Sequence, residues 1–245
     1  QALINRLGFN NDGSEEVKKR IDANIPTSLL GINIGPNKDT DDMTDDFLKC
    51  AEIFFPIGDY ITVNISSPNT TGLRDFHKHE VLKKLLSKIN DIREKSNFNK
   101  SFLLKISPDL DSAEFSGIIN LILEYKIDAV ILTNTSNKNR ESLKDPNSKE
   151  KGGLSGKPIK NLSTEFVKKF YTHLKGKIPI IGVGGIDSGD DLARDRGEHR
   201  VSVAGSTDAT AGERLVIEHL DQQRPEIRAI GGEGQHMLVE VGSRT

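Results

Sequence analysis

Along the first 186 residues, short apolar runs alternate with amphipathic stretches, and turn-forming polar residues separate the two. The runs at 29–34, 59–63, 102–106, 129–133 and 178–183 are rich in aliphatic and β-branched residues and have the length of buried strands. Between them Val81, Leu82, Leu85, Leu86 and Ile89 recur at helical spacing, as do Phe115, Ile118, Ile119 and Ile122. Asp111, with Glu114 three residues on, supplies a capping box for the second of these helices. Residues 47–53 have a helical pattern of their own, which includes Cys50. Continuous apolar strands separated by helices imply a parallel sheet covered on both faces. The two common forms are a (β/α)8 barrel and an open doubly wound sheet.

Polar residues at the strand ends discriminate between them. Asn33, Asn64, Lys105, Thr133-Asn134-Thr135 and Gly184-Gly185 each end or follow a different strand. An open sheet offers its ligand only the strands near one switch point, whereas a barrel gathers every C-terminal strand end around one mouth. Five equipped strands predict an α/β fold of the (β/α)8 TIM-barrel type. A complete barrel needs eight strands and roughly 250 residues, so five clear strands predict an incomplete one.

Composition adds a seam. With 245 residues, 35% hydrophobic and 29% charged, the chain suits one α/β domain. All 22 lysines lie at or before Lys177, while seven of the twelve arginines lie at or after Arg194, and apolar periodicity fades beyond Asp190. We expect residues 1–190 to form a partial barrel and 191–245 an atypical tail, either out of frame or poorly ordered. A net charge of −2 and 5% aromatic residues argue against nucleic acid as a partner. No apolar run approaches the roughly 20 residues of a membrane span. Neither a signal-peptide pattern nor an initiator Met opens the chain, which reads as an internal piece. The single cysteine, Cys50, reads as a small buried hydrophobe in a reducing compartment.

The candidate chemistry centres on Val63-Asn64-Ile65-Ser66-Ser67-Pro68-Asn69-Thr70, where an apolar strand breaks into a polar loop. Asn5, Asn33, Asn64, Asn69 and Asn134 form an amide set whose donors and acceptors suit a neutral planar ring rich in C=O and N–H groups, such as a flavin or a pyrimidine. Asparagines also collect in loops as turn formers, and this chain is rich in them. Lys105 closes an otherwise apolar strand and, if buried, must face a partner such as the N1–C2=O edge of a flavin; an outward-facing strand-end lysine is the alternative. Gly182-Val183-Gly184-Gly185 and Gly152-Gly153-Leu154-Ser155-Gly156 are glycine-rich turns able to approach an anion, or simply turns. The histidines show no metal-ligand spacing, so no metal is expected, and no Gly-x-Ser-x-Gly or Walker A sequence occurs. Residues 138–151 read as a solvated loop.

Seven motifs in order carry a resemblance: Asn5-Arg6-Leu7-Gly8-Phe9-Asn10-Asn11, Gly31-Ile32-Asn33-Ile34-Gly35-Pro36-Asn37-Lys38, Asn64-Ile65-Ser66-Ser67-Pro68-Asn69-Thr70, Leu104-Lys105-Ile106-Ser107-Pro108-Asp109-Leu110, Thr133-Asn134-Thr135, Gly152-Gly153-Leu154-Ser155-Gly156-Lys157-Pro158 and Gly182-Val183-Gly184-Gly185-Ile186. Together they resemble dihydroorotate dehydrogenase over residues 1 to about 190. The resemblance implies an FMN-containing (β/α)8 barrel that oxidises dihydroorotate to orotate in pyrimidine synthesis. A serine at position 67, where the soluble branch has cysteine, resembles the quinone-reducing, membrane-associated branch. It implies Ser67 as the base, with Thr70 and Phe9 around its proton relay. It implies Asn5, Gly8, Phe9, Asn64, Asn69, Asn134 and Thr135 around orotate, and Asn33, Asn64, Lys105, Thr133, Ser155, Gly156, Gly184 and Gly185 around FMN. Arg74 falls on the loop that closes over substrate. Quinone is the implied terminal acceptor, and the full-length protein is implied to sit peripherally on the cytoplasmic face of the inner membrane. Relative to the family, the first two barrel strands, the membrane-binding segment and the last strand are not recognisable. The alternatives are an inactive barrel fragment that does not retain FMN and another FMN-dependent barrel oxidoreductase.

Overall fold

In the computed structural model, which describes residues 2–24, 26, 29–97, 99–186, 201–204 and 237–242, all five expected strands are present. They are β2 (Leu30–Gly35), β3 (Tyr60–Asn64), β4 (Ser101–Ile106), β5 (Ala129–Leu132) and β7 (Ile180–Val183). Each pairs in parallel with the next, and two further strands flank them: β8 (Val201–Ala204) beside β7 and β9 (Met237–Gly242) beside β2. Among the described residues β8 and β9 do not pair with each other, so the barrel wall is open. Both flanking strands fall in the tail that the sequence marks as atypical. The seam near Asp190 and most of the tail lie outside the described residues.

The two faces of the sheet differ, and this difference decides the architecture. Outward residues Ile32, Ile34, Ile61, Val63, Leu104, Ile106, Val130, Leu132 and Ile180 join one core with the helices α2 (Met43–Phe54), α3 (His79–Lys95), α4 (Ser112–Glu124) and α5 (Lys160–Leu174). Inward residues Leu103, Ala129, Ile131 and Ile181 form a separate cluster with Tyr60 and Val183, and among the described residues no helix residue enters it. A doubly wound sheet carries helices on both faces; a wall with helices on one face and its own side chains on the other is that of a barrel. Phe47, Phe54 and Phe170 are fully buried in the outer layer, and Phe115 meets Phe170 edge-on with centroids 5.0 Å apart. Each such side chain contributes about 1.5–3 kcal/mol by leaving water. Cys50 is fully buried on α2, where burial pushes its thiol up to about 12.

Some elements differ from the sequence pattern. Helix α1 (Ser14–Ala23) buries only Ser14, Val17 and Ile21, too narrow a stripe to stand out. Strands β1 (Ala2–Asn5) and β6 (Gly153–Gly156) form an antiparallel ribbon, so the glycine-rich run at 152–156 is a strand over most of its length. Residues 138–151 are largely exposed but not free. The Arg140 guanidinium donates to the Ser148 carbonyl at 3.1 Å and also reaches the Glu150 and Gly152 carbonyls.

The loop after β3 is fixed from below by a one-turn 3-10 helix, Leu73–His77. His77 is 2% exposed, and its Nε2 lies 3.0 Å from the Ile65 carbonyl, an acceptor, so this nitrogen carries the proton. Burial, helped by the Arg74 charge, lowers the His77 pKa to about 4, against the opposing pull of the Ile65 carbonyl.

Asp111 accepts from Glu114 N–H at 2.8 Å while Glu114 returns the bond to Asp111 N–H at 2.9 Å, completing the capping box of α4. D111A is expected to cost about 1 kcal/mol, a fall of about 2–4 °C in Tm by calorimetry. An unfolded histidine binds a proton near pH 6.5 and the folded His77 only near pH 4, so its contribution is complete above about 6.5 and lost as pH falls toward 4. Urea unfolding of the native protein should lose on the order of 3 kcal/mol more than H77Q across that window; equal losses in the two proteins contradict the assignment.

Candidate active site

The period of two along each strand divides its residues between the faces. In register, Asn33 pairs with Thr62, Thr62 with Leu103, Asn64 with Lys105, and Lys105 with Ile131. Registered residues of parallel strands share a face, so Asn33, Thr62, Asn64 and Lys105 all line the inner side of the wall, toward its C-terminal end. Asn33, Asn64 and Lys105 are 1%, 3% and 6% exposed. Lys105 is therefore the buried, inward-facing lysine of the two readings left open above. Desolvating an ammonium is tolerable only where polar groups or an anion meet it.

Beyond Asn64 the chain turns, and its side chains hydrogen-bond one another. Asn64 Oδ1 accepts from Ser66 N–H at 3.1 Å and from the Ser66 hydroxyl at 2.7 Å. Asn134 Nδ2 donates to Ser66 Oγ at 2.9 Å, and Asn134 Oδ1 accepts from Thr135 N–H at 2.8 Å. Ser67 is buried; its Oγ accepts from Asn69 N–H at 3.2 Å. Asn69 Nδ2 donates to Asn5 Oδ1 at 3.1 Å, which ties the loop to the end of β1. The four amides thus form two linked pairs.

The ribbon and the first loop cover this group. A Cβ at Gly153 would lie 1.9 Å from Thr135 Oγ1 and 2.9 Å from Pro68, so only glycine lets β6 approach so closely. Gly8 has φ +65°, and a Cβ there would sit 3.9 Å from Thr70 Oγ1; Thr70 is 4% exposed. The Phe9 ring lies on Gly35 at the end of β2, where a Cβ would overlap it at 2.0 Å.

Across the mouth, Thr133 donates from both N–H and Oγ1 to the Val183 carbonyl, at 3.0 and 3.2 Å, and Ser163 Oγ adds a third bond at 2.7 Å. Gly184 and Gly185 have φ of +108° and +75°, and a Cβ on Gly185 would meet Lys160 backbone atoms at 2.5–2.7 Å. Ser155 and Gly156 lie on β6, with Ser155 Oγ 3.4 Å from the Leu3 carbonyl. Ile159, on the 3-10 turn Lys157–Ile159 that follows Gly156, packs against Gly184, so these positions flank one corner.

Several residues were not singled out by the sequence. Asp109, after β4, accepts from Ser136 Oγ at 2.6 Å and from Asn137 N–H at 2.9 Å, and forms an ion pair with Arg74 Nη1 at 3.0 Å. Its carboxylate links the loops after β3, β4 and β5. Arg74 is thereby docked on the barrel, with Nε and Nη2 buried and unpartnered. A polar residue just past a strand end was the available signal for Asp109, the same one that identified Asn64. An open depression of about 870 Å³, lined by Asn90, Arg93, Asn99, Tyr125 and Lys126 among others, lies near the N-terminal ends of β4 and β5 and contains none of the candidate groups.

Comparisons with known proteins agree with this geometry. The family model described as dihydroorotate dehydrogenase matches residues 1–196. The dihydroorotate dehydrogenase (quinone) of Thiobacillus denitrificans is 44% identical over 197 residues, which cover 78% of this chain and 58% of that protein. The protein of the same name from Rhodopseudomonas palustris (strain BisA53) is 42% identical over 194 residues, covering 77% of this chain and 53% of its own length. The crystal structure of DHODH from Eimeria tenella in complex with ferulenol superposes with a TM-score of 0.76 and 31% identity, covering 84% of this chain and 62% of that one. The chain spans about half the length of the curated relatives it matches. Motifs, one-sided barrel wall and similarity over most of the sequence agree: the chain belongs to the dihydroorotate dehydrogenase family.

Proposed function

We propose that residues 1–190 carry the catalytic unit of a quinone-dependent dihydroorotate dehydrogenase, with FMN as cofactor. The observation that carries the reading is the meeting of Ser67 with two linked amide pairs, Asn64–Asn134 and Asn5–Asn69, at the C-terminal mouth of a parallel wall. Orotate is a planar ring of alternating C=O and N–H groups with a carboxylate, which such amides suit. The name that these relatives carry, dihydroorotate dehydrogenase (quinone), supplies the substrate and the acceptor of this reading.

The residues present fit FMN. A buried inward lysine, the polar positions Asn33, Asn64 and Thr133, and two consecutive glycines at positive φ beside α5 match a flavin edge and its phosphate. Lys105 and Asn33 are assigned to the ring, and Ser155, Gly156, Gly184 and Gly185 to the phosphate end. The chemistry supplied by FMN, when bound, is acceptance of a hydride from substrate C6.

The protein's own part is to bind, orient and move a proton. Asn5, Asn64, Asn69, Asn134 and Thr135 hold the pyrimidine, with Gly8 giving the first loop its turn over it. Ser67 Oγ takes the proton from C5. A serine is a weak base near neutrality, and two features favour it here: burial excludes competing water, and the Asn69 N–H at 3.2 Å stabilises charge developing on Oγ. Phe9, lying across the end of β2, shields the site. As Ser67 Oγ takes the C5 proton it gives up its own hydroxyl proton, which Thr70 is assigned to receive and release to solvent. Among the described residues no helix is long and apolar enough to cross a membrane. Quinones dissolve in bilayers, and the resemblance to the quinone-reducing branch implies that the full-length protein sits peripherally on the cytoplasmic face of the inner membrane.

Flavin-loaded protein is expected to oxidise dihydroorotate with a quinone acceptor. S67A should lower kcat by about 10²–10⁴-fold while keeping its bound flavin. Turnover unchanged in S67A removes Ser67 from its role, and colourless protein that stays inactive with added FMN supports the inert-fragment reading instead.

A further inference from the structure

Ser66 has no part in the chemistry above, yet it is fully buried and bridges the two central amides. A backbone N–H can only donate, so it identifies the amide atom it meets. The Ser66 N–H fixes Asn64 Oδ1 as the oxygen, and the Thr135 N–H does the same for Asn134 Oδ1. Asn64 Nδ2 is then left purely as a donor. Asn134 Nδ2 commits one N–H to Ser66 Oγ, and the Ser66 proton passes to Asn64 Oδ1. Every proton in this chain of groups has one consistent direction.

We propose that Ser66 is a positioning residue whose hydroxyl locks the donor–acceptor order that the two backbone N–H groups define in the pyrimidine pocket, so that Asn64 meets a ligand only as a donor to a carbonyl or carboxylate oxygen. The inference rests on the dihydroorotate reading for its ligand and on the hydrogen bonds alone for its geometry. Without the hydroxyl, Asn64 Oδ1 keeps the Ser66 N–H and a 3.5 Å approach from Asn134. Asn134 Nδ2 loses its short partner, and the position that the hydroxyl leaves is 0% exposed. Each amide is then held by one backbone N–H alone, so both side chains are less rigidly placed and an oxygen ligand meets a less ordered donor. Asn69 and Asn5 form a separate pair that does not involve Ser66.

Orotate binding to flavin-loaded protein, followed by the flavin absorbance change, tests this. S66A should weaken orotate by about tenfold and narrow the preference for orotate over an analogue carrying an amino group in place of a ring oxo group. In mutant cycles S66A should be less than additive with N134A and additive with N69A. A ligand-free readout stands beside these: hydrogen exchange of the Asn134 side-chain amide, by NMR, should be at least about tenfold faster in S66A. S66G, which also lacks the hydroxyl, replaces S66A if that variant does not fold. Failure of the native protein to bind orotate overturns the functional reading, and the exchange comparison then decides the role of Ser66 by itself. Unchanged Asn134 exchange, or additivity of S66A with N134A, overturns the inference.

Discussion

The register of five parallel strands is the constraint on which the rest depends. Because the side-chain period is two, a slip of one residue in any pairing would send Asn64 or Lys105 into the helix-covered layer and bring Val63 or Leu104 to the inner face. Burying an amide or an ammonium among Phe47, Phe54 and Phe115 would cost several kcal/mol. Register is therefore fixed by the same hydrophobic pattern that packs the helices, and the candidate site inherits its geometry from the outer core. Nothing in the site has to specify the sheet.

The second layer of order is the satisfaction of buried polar groups by one another. Loop residues after β3, β4 and β5 are far apart in sequence, and each loop alone would expose its donors to water. Asp109 gathers Arg74, Ser136 and Asn137, while Ser66 gathers Asn64 and Asn134. These bonds exchange water partners for protein partners at a modest net gain each. Their larger effect is to leave chosen groups unspent at the mouth. Asn64 retains its N–H pair and Ser67 its own proton, in a place where a planar polar ring is the fitting partner.

Periodicity made the outer layer legible from the sequence alone. Ile32, Ile61, Leu104, Val130 and Ile180 were all in strands assigned from composition, and the Asp111–Glu114 cap needed only a spacing of three. The polar strand ends were equally visible, since Asn33, Asn64 and Lys105 interrupt runs that are otherwise apolar. What stayed hidden depends on contacts across the chain. The ribbon of β1 with β6 joins four-residue strands about 150 positions apart, and glycines dominate one of them, so neither side has a period long enough to read. Ser66 resembles its neighbour Ser67 in every local respect; only the partner on β5's following loop distinguishes the positioning residue from the proposed base.

Single-turnover reduction of the flavin is the most direct test of the central claim, that these strand ends build a dihydroorotate-oxidising site. Mixed anaerobically with dihydroorotate and no quinone, flavin-loaded protein should bleach in its visible absorbance with one orotate formed for each flavin. Flavin that remains bound and fully coloured after saturating dihydroorotate would contradict the account.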